Sequence, residues 1–531
     1  MAVASLSLRE GYWESFALQE EDLDYLYNRL IELETPLTSQ ELMRLIVEQR
    51  IEREKQALEN RAPAEGKLYA PKGHYEIGDT LVFPALNWQK GQVTQVRPGN
   101  NPELPPFEVL EVEIEKEGKR QFAAGVQEHI LNQPLKVNTA DPNLNPGQVM
   151  EKYGLELTQK LEAMLENNPE IVRIAGRWFP RALLVDINIG HLNLAEAVLD
   201  MAGGGPLPAR ALVDQIELPT DVNPKLTEFS LNLALQEDER FDEVGPSGEV
   251  LWFLKRLEPA SIQNPPLYLR YSPYSYDPSI LTAEMRALEK DLDDEFSEVP
   301  APPGNLDDIT ISLIYPHWRA GTLPLSNRIK RLFPTAYESP RIQFTLVDGD
   351  TGAEISAWVV RPYRYVFGLR NWYQSQGLIP GSLVHIQRGK KPGEVKVSLE
   401  KRHASREWIR TVLVGADGGI VYAMLKQAVT ATFDDRMAIA VPDVQAIDSV
   451  WERTGKQRPP FEVVVTDTMR ELAKLNPQGH VHAQELYAAV NVVRRSPPGP
   501  IFSILVNNPA VIHVGDLYYR LEESSEQERA R

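Results

Sequence analysis

Residues 466–522 read TDTMRELAKLNPQGHVHAQELYAAVNVVRRSPPGPIFSILVNNPAVIHVGDLYYRLE, and the rest of the chain echoes this stretch. Helical spacing predicts a first helix over Thr468–Leu475, stopped by Asn476-Pro477. A second, His482–Val490, sets Leu486, Tyr487 and Val490 at helical spacing. A third opens at Pro498-Gly499-Pro500, where proline suits a first turn, and carries Ile501, Phe502, Leu505 and Val506. Asn507-Asn508-Pro509 ends it, and AVIHV and LYYRL flank Gly515-Asp516 as two short strands around a tight turn. Leu486, Phe502, Leu505 and Tyr519 are expected to share one core.

Three helices closed by a hairpin make a winged helix. The order and the aromatic last strand resemble the HARE-type helix-turn-helix domain of chromatin regulators and of the acidic delta subunit of bacterial RNA polymerase. That resemblance implies docking to protein or duplex. A similar order is predicted at 190–257: a helix at His191–Ala202 closed by Gly203-Gly204-Gly205, a helix from Pro208, the helix LTEFSLNLALQEDER, then strands around Pro246-Ser247-Gly248. A partial copy is predicted at 142–184, where a helix over Leu155–Asn167 runs into NNPEIVRIAGRWFPRALL. The irregular spacing argues for duplicated modules rather than a solenoid, which keeps a fixed period. The plainer alternative is coincidence, since a helix followed by a hairpin is common.

The 531 residues predict several domains, and the expected fold class is α+β multidomain, with repeated winged helices plus small β-barrels. The chain has no cysteine, which excludes disulfides, thiolate metal sites and cysteine nucleophiles. The first residues, MAVASLSLREGYWESF, lack a secretory pattern, and no apolar run is long enough to span a bilayer, so a cytoplasmic location without membrane association is expected. A formal net charge of −19 argues against uniform coating by nucleic acid but allows a local basic patch.

Residues 1–60 form a predicted helical region, with Thr38-Ser39 and Glu41 capping its second helix; it reads as another helix-turn-helix or as a helical hairpin. Residues 61–72 read as a linker. Residues 73–133 alternate apolar and polar residues between glycine turns, and IGDTLVF…KGQVTQVRPG resembles KOW and SH3-like barrels, with Gly91 expected at a turn beside Lys90 and Arg97. Residues 260–307 read as a connector whose acidic run, Glu289, Asp291, Asp293, Asp294 and Glu295, is expected on a solvated helix. Residues 411–465 read as a small α/β segment, in which ADGGIVYAMLKQAVTATF is a turn, a strand and a helix and MAIAVPD a strand; 523–531 read as a disordered tail.

Residues 308–410 carry a second signal. Strands flank Asp348-Gly349-Asp350, Trp358 sits on a strand, and the short helix NWYQSQG leads into LIPGSLVHI. That order resembles the pseudobarrel DNA-binding domain of plant auxin-response factors and restriction-enzyme effector domains, although Gly381-Ser382 stands where the family has Gly-Asp. The resemblance covers about a fifth of the chain. Basic residues interleave with aromatics here, and the candidate nucleic-acid contacts are Arg328, Lys330, Arg331, Arg361, Arg364, Arg370, Trp372, Lys390 and Lys391. Guanidinium groups suit phosphates and guanine edges, and aromatics suit sugars or unstacked bases. The alternative is a solvated basic strand edge over an aromatic core.

There is no His-Glu-x-x-His and no Gly-x-Ser-x-Gly, and Gly418-Gly419 lacks the Gly-Lys-Ser/Thr of a phosphate loop. His480 and His482 are expected at a surface helix cap, not a metal site. Asp348 or Asp350 with Glu394 and Lys396 could be mistaken for a nuclease constellation, but turn and strand roles explain the same residues. No cofactor, metal or catalytic residue is expected. The leading expectation is a non-enzymatic DNA-binding or transcription-associated protein. DNA is its expected partner, with RNA as an alternative and proteins of the transcription machinery as further partners. The competing reading is a protein-interaction scaffold without nucleic-acid binding, followed by a nucleic-acid-processing enzyme.

Overall fold

Strand β1 (Leu37–Thr38) is two residues long, yet it organises the first third of the chain. It follows helix α1 (Glu20–Leu33) and leads directly into α2 (Ser39–Ala64). Glu41 Oε2 accepts from the Thr38 backbone N–H and hydroxyl (2.8 and 2.9 Å), and Thr38 Oγ1 accepts from the Glu41 N–H (3.2 Å), which satisfies donors at the helix start in both directions. α2 therefore runs through the start of the expected linker. Strands β2 (Lys67–Leu68), β3 (Thr80–Phe83), β4 (Gln89–Pro98), β5 (Glu108–Ile114) and β6 (Gly118–Ala124) form one sheet in that order. The Tyr69 hydroxyl donates to Ala123 O (2.6 Å) and the Gly125 N–H to Gly73 O (3.1 Å), joining the two ends of the curled sheet. Gly91 is not at a turn: it lies within β4, opposite Ile114, where a Cβ would stand 2.6 Å from the Val112 side chain. Helix α3 (Pro146–Glu166) and the hairpin β7 (Ile171–Ile174)–β8 (Arg177–Pro180) follow, and β1 pairs with β8. The helix and hairpin within 142–184 thus gain a third strand from Leu37–Thr38, with the five-stranded sheet between them in sequence.

The structure is a computed structural model. It describes residues 11–522 except 65, 84–85, 87–88, 102–104, 115–117, 133–140, 217, 219–221, 302–303, 305, 337 and 392, and the side chains of 57–64, 130 and 401–404. The tail expected at 523–531 lies outside the described residues. Two compact units divide the chain: Met1–Val185 with Thr220–Phe229, and Asp186–Pro219 with Ser230–Arg531. The fold is α+β and multidomain, with several separate sheets. Among the described residues no helix is long and apolar enough to cross a membrane.

The second unit begins with α4 (Ile189–Met201), β9 (Leu207–Pro208), α5 (Ala209–Val213), α6 (Pro224–Glu237, of which Ser230 onward belongs here) and the hairpin β10 (Phe241–Glu243)–β11 (Leu251–Leu254). It then runs through α7 (Ala260–Gln263) and α8 (Ala283–Leu292) into a seven-stranded half-barrel. The half-barrel comprises β12 (Asp308–Ser312), α9 (Tyr315–Ala320), β13 (Thr322–Pro324), β14 (Arg341–Asp348), β15 (Glu354–Val360), β16 (Tyr365–Phe367), α10 (Arg370–Ser375), β17 (Leu383–Arg388) and β18 (Val395–Ser398). Its strand order is β12-β17-β18-β14-β15-β16-β13, antiparallel except for β14 beside β18. Alternating Ile342, Phe344 and Leu346 point into its core, as a strand with one buried face requires. Asp348 closes its own turn by accepting from the Asp350 N–H (2.9 Å), the turn role read from sequence.

A long two-stranded ribbon follows, β19 (Lys401–Val414) and β20 (Ile420–Ala431). The helix expected within AMLKQAVTA is strand instead, because β20 pairs with β19 at eleven positions and those ladder bonds override local helix propensity. The strand expected in MAIAVPD contributes only an isolated bridge from Ala440 to Thr411. After α11 (Val444–Gln457) come α12 (Phe461–Ala473), β21 (Val481–His482), α13 (Ala483–Val493), α14 (Pro498–Asn507) and the hairpin β22 (Val511–Gly515)–β23 (Tyr518–Leu521). Leu486, Phe502, Leu505 and Tyr519 do share one buried core. The three small sheets have matching orders, β1-β8-β7, β9-β11-β10 and β21-β23-β22. In each, the first residue of the short strand faces a buried aromatic: Leu37 opposite Trp178, Leu207 opposite Trp252, Val481 opposite Tyr519.

The acidic run is helical only in its first half: Glu289 and Asp291 stand on α8, half-buried and exposed, while the rest leaves the helix and turns inward. α8 ends at Leu292, and Asp293 adopts the left-handed conformation (φ 48°), which turns the chain inward. Asp294 and Glu295 are buried; Asp294 accepts from Arg495 Nη2 at 2.7 Å, and the same nitrogen pairs with Glu295 at 2.7 Å. The Tyr487 hydroxyl donates to Asp294 (2.6 Å), and His317 Nε2 lies 3.2 Å from Glu295. Burial pushes the Asp294 carboxyl up; Arg495 and then His317 pull Glu295 down to about 2 despite its burial. Arg495 is therefore committed to the interior. Replacing it strands two buried carboxylates: Arg495→Met is expected to cost about 3–5 kcal/mol in denaturant unfolding, with much of the loss recovered when Asp294→Asn and Glu295→Gln accompany it.

His482 does cap α13, accepting from the Gln484 N–H (3.1 Å), but it is buried rather than on the surface. Burial and then Arg436 lower its pKa to about 4. The unfolded chain therefore takes up the proton first. The contribution of the neutral His482 is fully present above pH 6.5, the ordinary histidine value, and is lost as pH falls from there to about 4. His482→Asn should flatten that slope in midpoints of unfolding measured across this range.

Candidate nucleic-acid interface

Four of the basic residues read from the sequence stand on two supports. Ile329, Leu332 and Phe333 are buried in the half-barrel core and anchor the segment that carries the others of its run. Lys330 is left exposed, its ammonium donating to Asn327 Oδ1 (2.9 Å), and Arg331 is half-buried, donating to Gly304 O (2.9 Å). The turn between β17 and β18 presents Lys390 and Lys391, both exposed. It closes through the Gly389 N–H to Glu394 O (2.7 Å), with Glu394 Oε2 also accepting from the Lys391 N–H (3.3 Å).

These pieces meet at one cleft of about 780 Å³, walled by Arg331, Arg388, Lys390 and Lys391 together with Phe333 and Thr335. Arg388 was not among the sequence candidates, although it sits two residues before Lys390 in QRGKK. Its guanidinium donates to Arg331 O (2.7 Å) and Leu306 O (3.2 Å), which ties the turn to the anchored segment. Four cations face two carboxylates, Glu249 and Glu394, so the wall has a positive balance in an acidic chain. Arg361 supports this wall from behind: it is half-buried and donates to Pro334 O (3.0 Å), and burial lowers its pKa.

The other candidates lie elsewhere. Arg328 lines a different cleft of about 600 Å³ beside Asp293, whose carboxyl burial pushes up to about 6. Arg364 adopts a left-handed backbone (φ 57°), donates to Glu295 O (3.0 Å), and borders a third cleft of about 1170 Å³. Arg370 begins α10, donates to Arg319 O (3.1 Å) and borders a fourth. Arg361, Arg364 and Arg370 thus do not share a single cleft. Trp372 is turned inward, 6% exposed in the half-barrel core, so its ring packs rather than meeting a sugar or base.

The nuclease-like grouping is not assembled as a site. Val347, not Asp348, stands opposite Lys396, and Glu394 folds back over Gly389. Among the described residues no group of three or more histidines and carboxylates is placed to hold a metal ion.

Trp372→Ala should lower unfolding stability by about 3–5 kcal/mol while leaving nucleic-acid affinity per folded molecule unchanged. Denaturant titration beside binding measured below the unfolding transition separates the two effects. In comparisons with known proteins, no family model, no curated protein and no solved structure matches the chain.

Proposed function

We propose that the protein is a non-enzymatic, transcription-associated nucleic-acid-binding protein that holds duplex DNA, or alternatively RNA, at the basic cleft of its half-barrel. The observation that carries this reading is the meeting of Arg331, Arg388, Lys390 and Lys391 on one wall. Phosphates there would replace condensed counterions, the usual source of affinity for a nucleic-acid backbone. The half-barrel is read as a pseudobarrel DNA-binding domain. Supporting that, Trp358 lies on β15, Gly368 precedes α10 with Trp372 and Tyr373, and Gly381 precedes β17, the order of the family pattern. Ser382 in place of the family's acidic residue is the departure. The five-stranded sheet of the first unit is read as an SH3- or KOW-like adaptor.

The three helix–strand–helix–helix–hairpin modules are read as winged helices of the HARE type. Their shared strand order and the equivalent positions of Trp178, Trp252 and Tyr519 support duplication. A second reading, the scaffold without nucleic-acid binding, is favoured by one observation: α14, the third helix of the last module, is buried from Pro498 to Leu505. A helix that enters a groove needs exposed donors, and α14 instead packs against α8, α12 and α13 of its own chain.

Fluorescence anisotropy of the full chain with labelled duplex DNA and matched RNA tests the proposal. Affinity should fall steeply with added salt, and Lys390→Ala with Lys391→Ala should weaken binding to all sequences while reducing the log–log salt slope by about 2. If the folded chain shows no salt-sensitive binding to either nucleic acid, the scaffold reading replaces this one.

A further inference from the structure

The ribbon β19–β20 carries an aromatic that no core uses. Trp408 is 62% exposed, and no other described tryptophan is exposed. Cross-strand register places Arg406 opposite Ala428, Trp408 opposite Lys426, Arg410 opposite Met424 and Val412 opposite Tyr422. Alternate residues along a strand share a face, so these four pairs occupy one side of the ribbon.

That side is fixed at one end and bare at the other. Val412 and Tyr422 are buried in the C-terminal core, the Tyr422 hydroxyl donates to Ala489 O (3.0 Å), and Arg410 pairs with Glu485 (2.8 Å). Beyond them Arg406, Trp408, Met424, Lys426 and Ala428 are exposed. The opposite side is held by Ile409 and Val429, packed with Ala438 and Ala440. Glu407 lies on that opposite side and accepts from the Ser405 hydroxyl (2.9 Å). The bare stretch therefore holds two cations and an indole with no carboxylate among its exposed residues, in a chain of net charge −19. Lys426 Nζ sits 5.4 Å from the Trp408 ring centroid, so a cation already marks the ring as a π surface.

We propose that this ribbon is a binding platform for single-stranded nucleic acid, with Trp408 stacking on an unpaired base and Arg406 and Lys426 taking the flanking phosphates. Charge sign selects a polyanion over a protein or lipid of neutral surface. The open indole selects unpaired bases, because bases within a duplex have their faces covered. Rigidity matters equally: anchored from both strands, the platform is ordered before its ligand arrives, which lowers the entropic cost of binding. The site is separate from the half-barrel cleft and does not depend on it.

The test uses the full chain with a labelled oligothymidylate and a labelled duplex. Trp408→Ala should weaken single-strand binding about tenfold, in the range of a lost base–aromatic stack, and Trp408→Phe should keep most of the affinity. Arg406→Ala with Lys426→Ala should reduce the single-strand salt slope by about 1.4. Duplex binding should be unchanged by all three. Wild-type affinity of Trp408→Ala for the oligothymidylate overturns the proposal, as does an equal loss on duplex. Sedimentation of wild type and Trp408→Ala covers the remaining occupant: dissociation of a dimer by the substitution would make this face a self-association surface and likewise overturn it. Loss of duplex binding in the Lys390→Ala, Lys391→Ala variant bears only on the cleft, so either site can fail alone.

Discussion

Arg495 is fully buried and bridges two adjacent buried carboxylates, and the larger unit is arranged around that contact. An arginine stripped of water is costly unless its donors are used, and here the two Nη groups reach Asp294, Glu295, Asn491 and the Ser496 carbonyl. The partners come from separate parts of the chain. Asp294 and Glu295 end the acidic run after α8, Asn491 and Tyr487 stand on α13, and His317 on α9 enters through Glu295. Phe296 lies under both Arg495 (5.0 Å) and Arg364 (5.9 Å), so the same turn is gripped by cations from two directions. The fit is demanding because each charge is tolerable only while the others are in place.

This hub bears on function through rigidity. It locks the half-barrel to the C-terminal module, and Tyr422 and Trp451 dock the ribbon and α11 onto α13 through the Ala489 and Val492 carbonyls. The module from 190–257 joins the same body through Phe253, edge-on to Trp358 at 5.3 Å. Two basic surfaces are left facing outward from that body, the cleft at Lys390 and Lys391 and the ribbon at Trp408. One lacks an unsheltered aromatic and suits a backbone; the other offers an open indole and suits a base. The proposed division between paired and unpaired nucleic acid rests on that difference in side chains.

The basic residues read from the sequence do not gather at one place. Arg361, Arg364 and Arg370 are close in sequence, but a carbonyl accepts from each guanidinium and they serve different neighbourhoods. Arginine carries five donors on a long stem, so it is as well suited to tie loops as to bind phosphate. Trp372 and Tyr373 alternate with them in sequence yet turn into the core, because α10 is amphipathic on the scale of a single turn. Lysines fared better. Lys390 and Lys391 sit on a tight strand turn, where a compact, strongly hydrated ammonium stays in water.

What the sequence determined by itself was local. The three helices and hairpin of 466–522, the Thr38–Glu41 cap and the Asp348 turn are fixed by residues within a few positions of each other, where periodicity and capping operate. The tertiary structure alone decided three things. It paired Leu37–Thr38 with a strand 140 residues away across an inserted sheet. It held MLKQAVT in a ribbon against its helical leaning. It also buried Asp294, Glu295 and Arg495, which composition places in solvent. Each depends on a partner distant in the chain, and the energy of a ladder bond or a desolvated ion pair exists only once that partner has arrived.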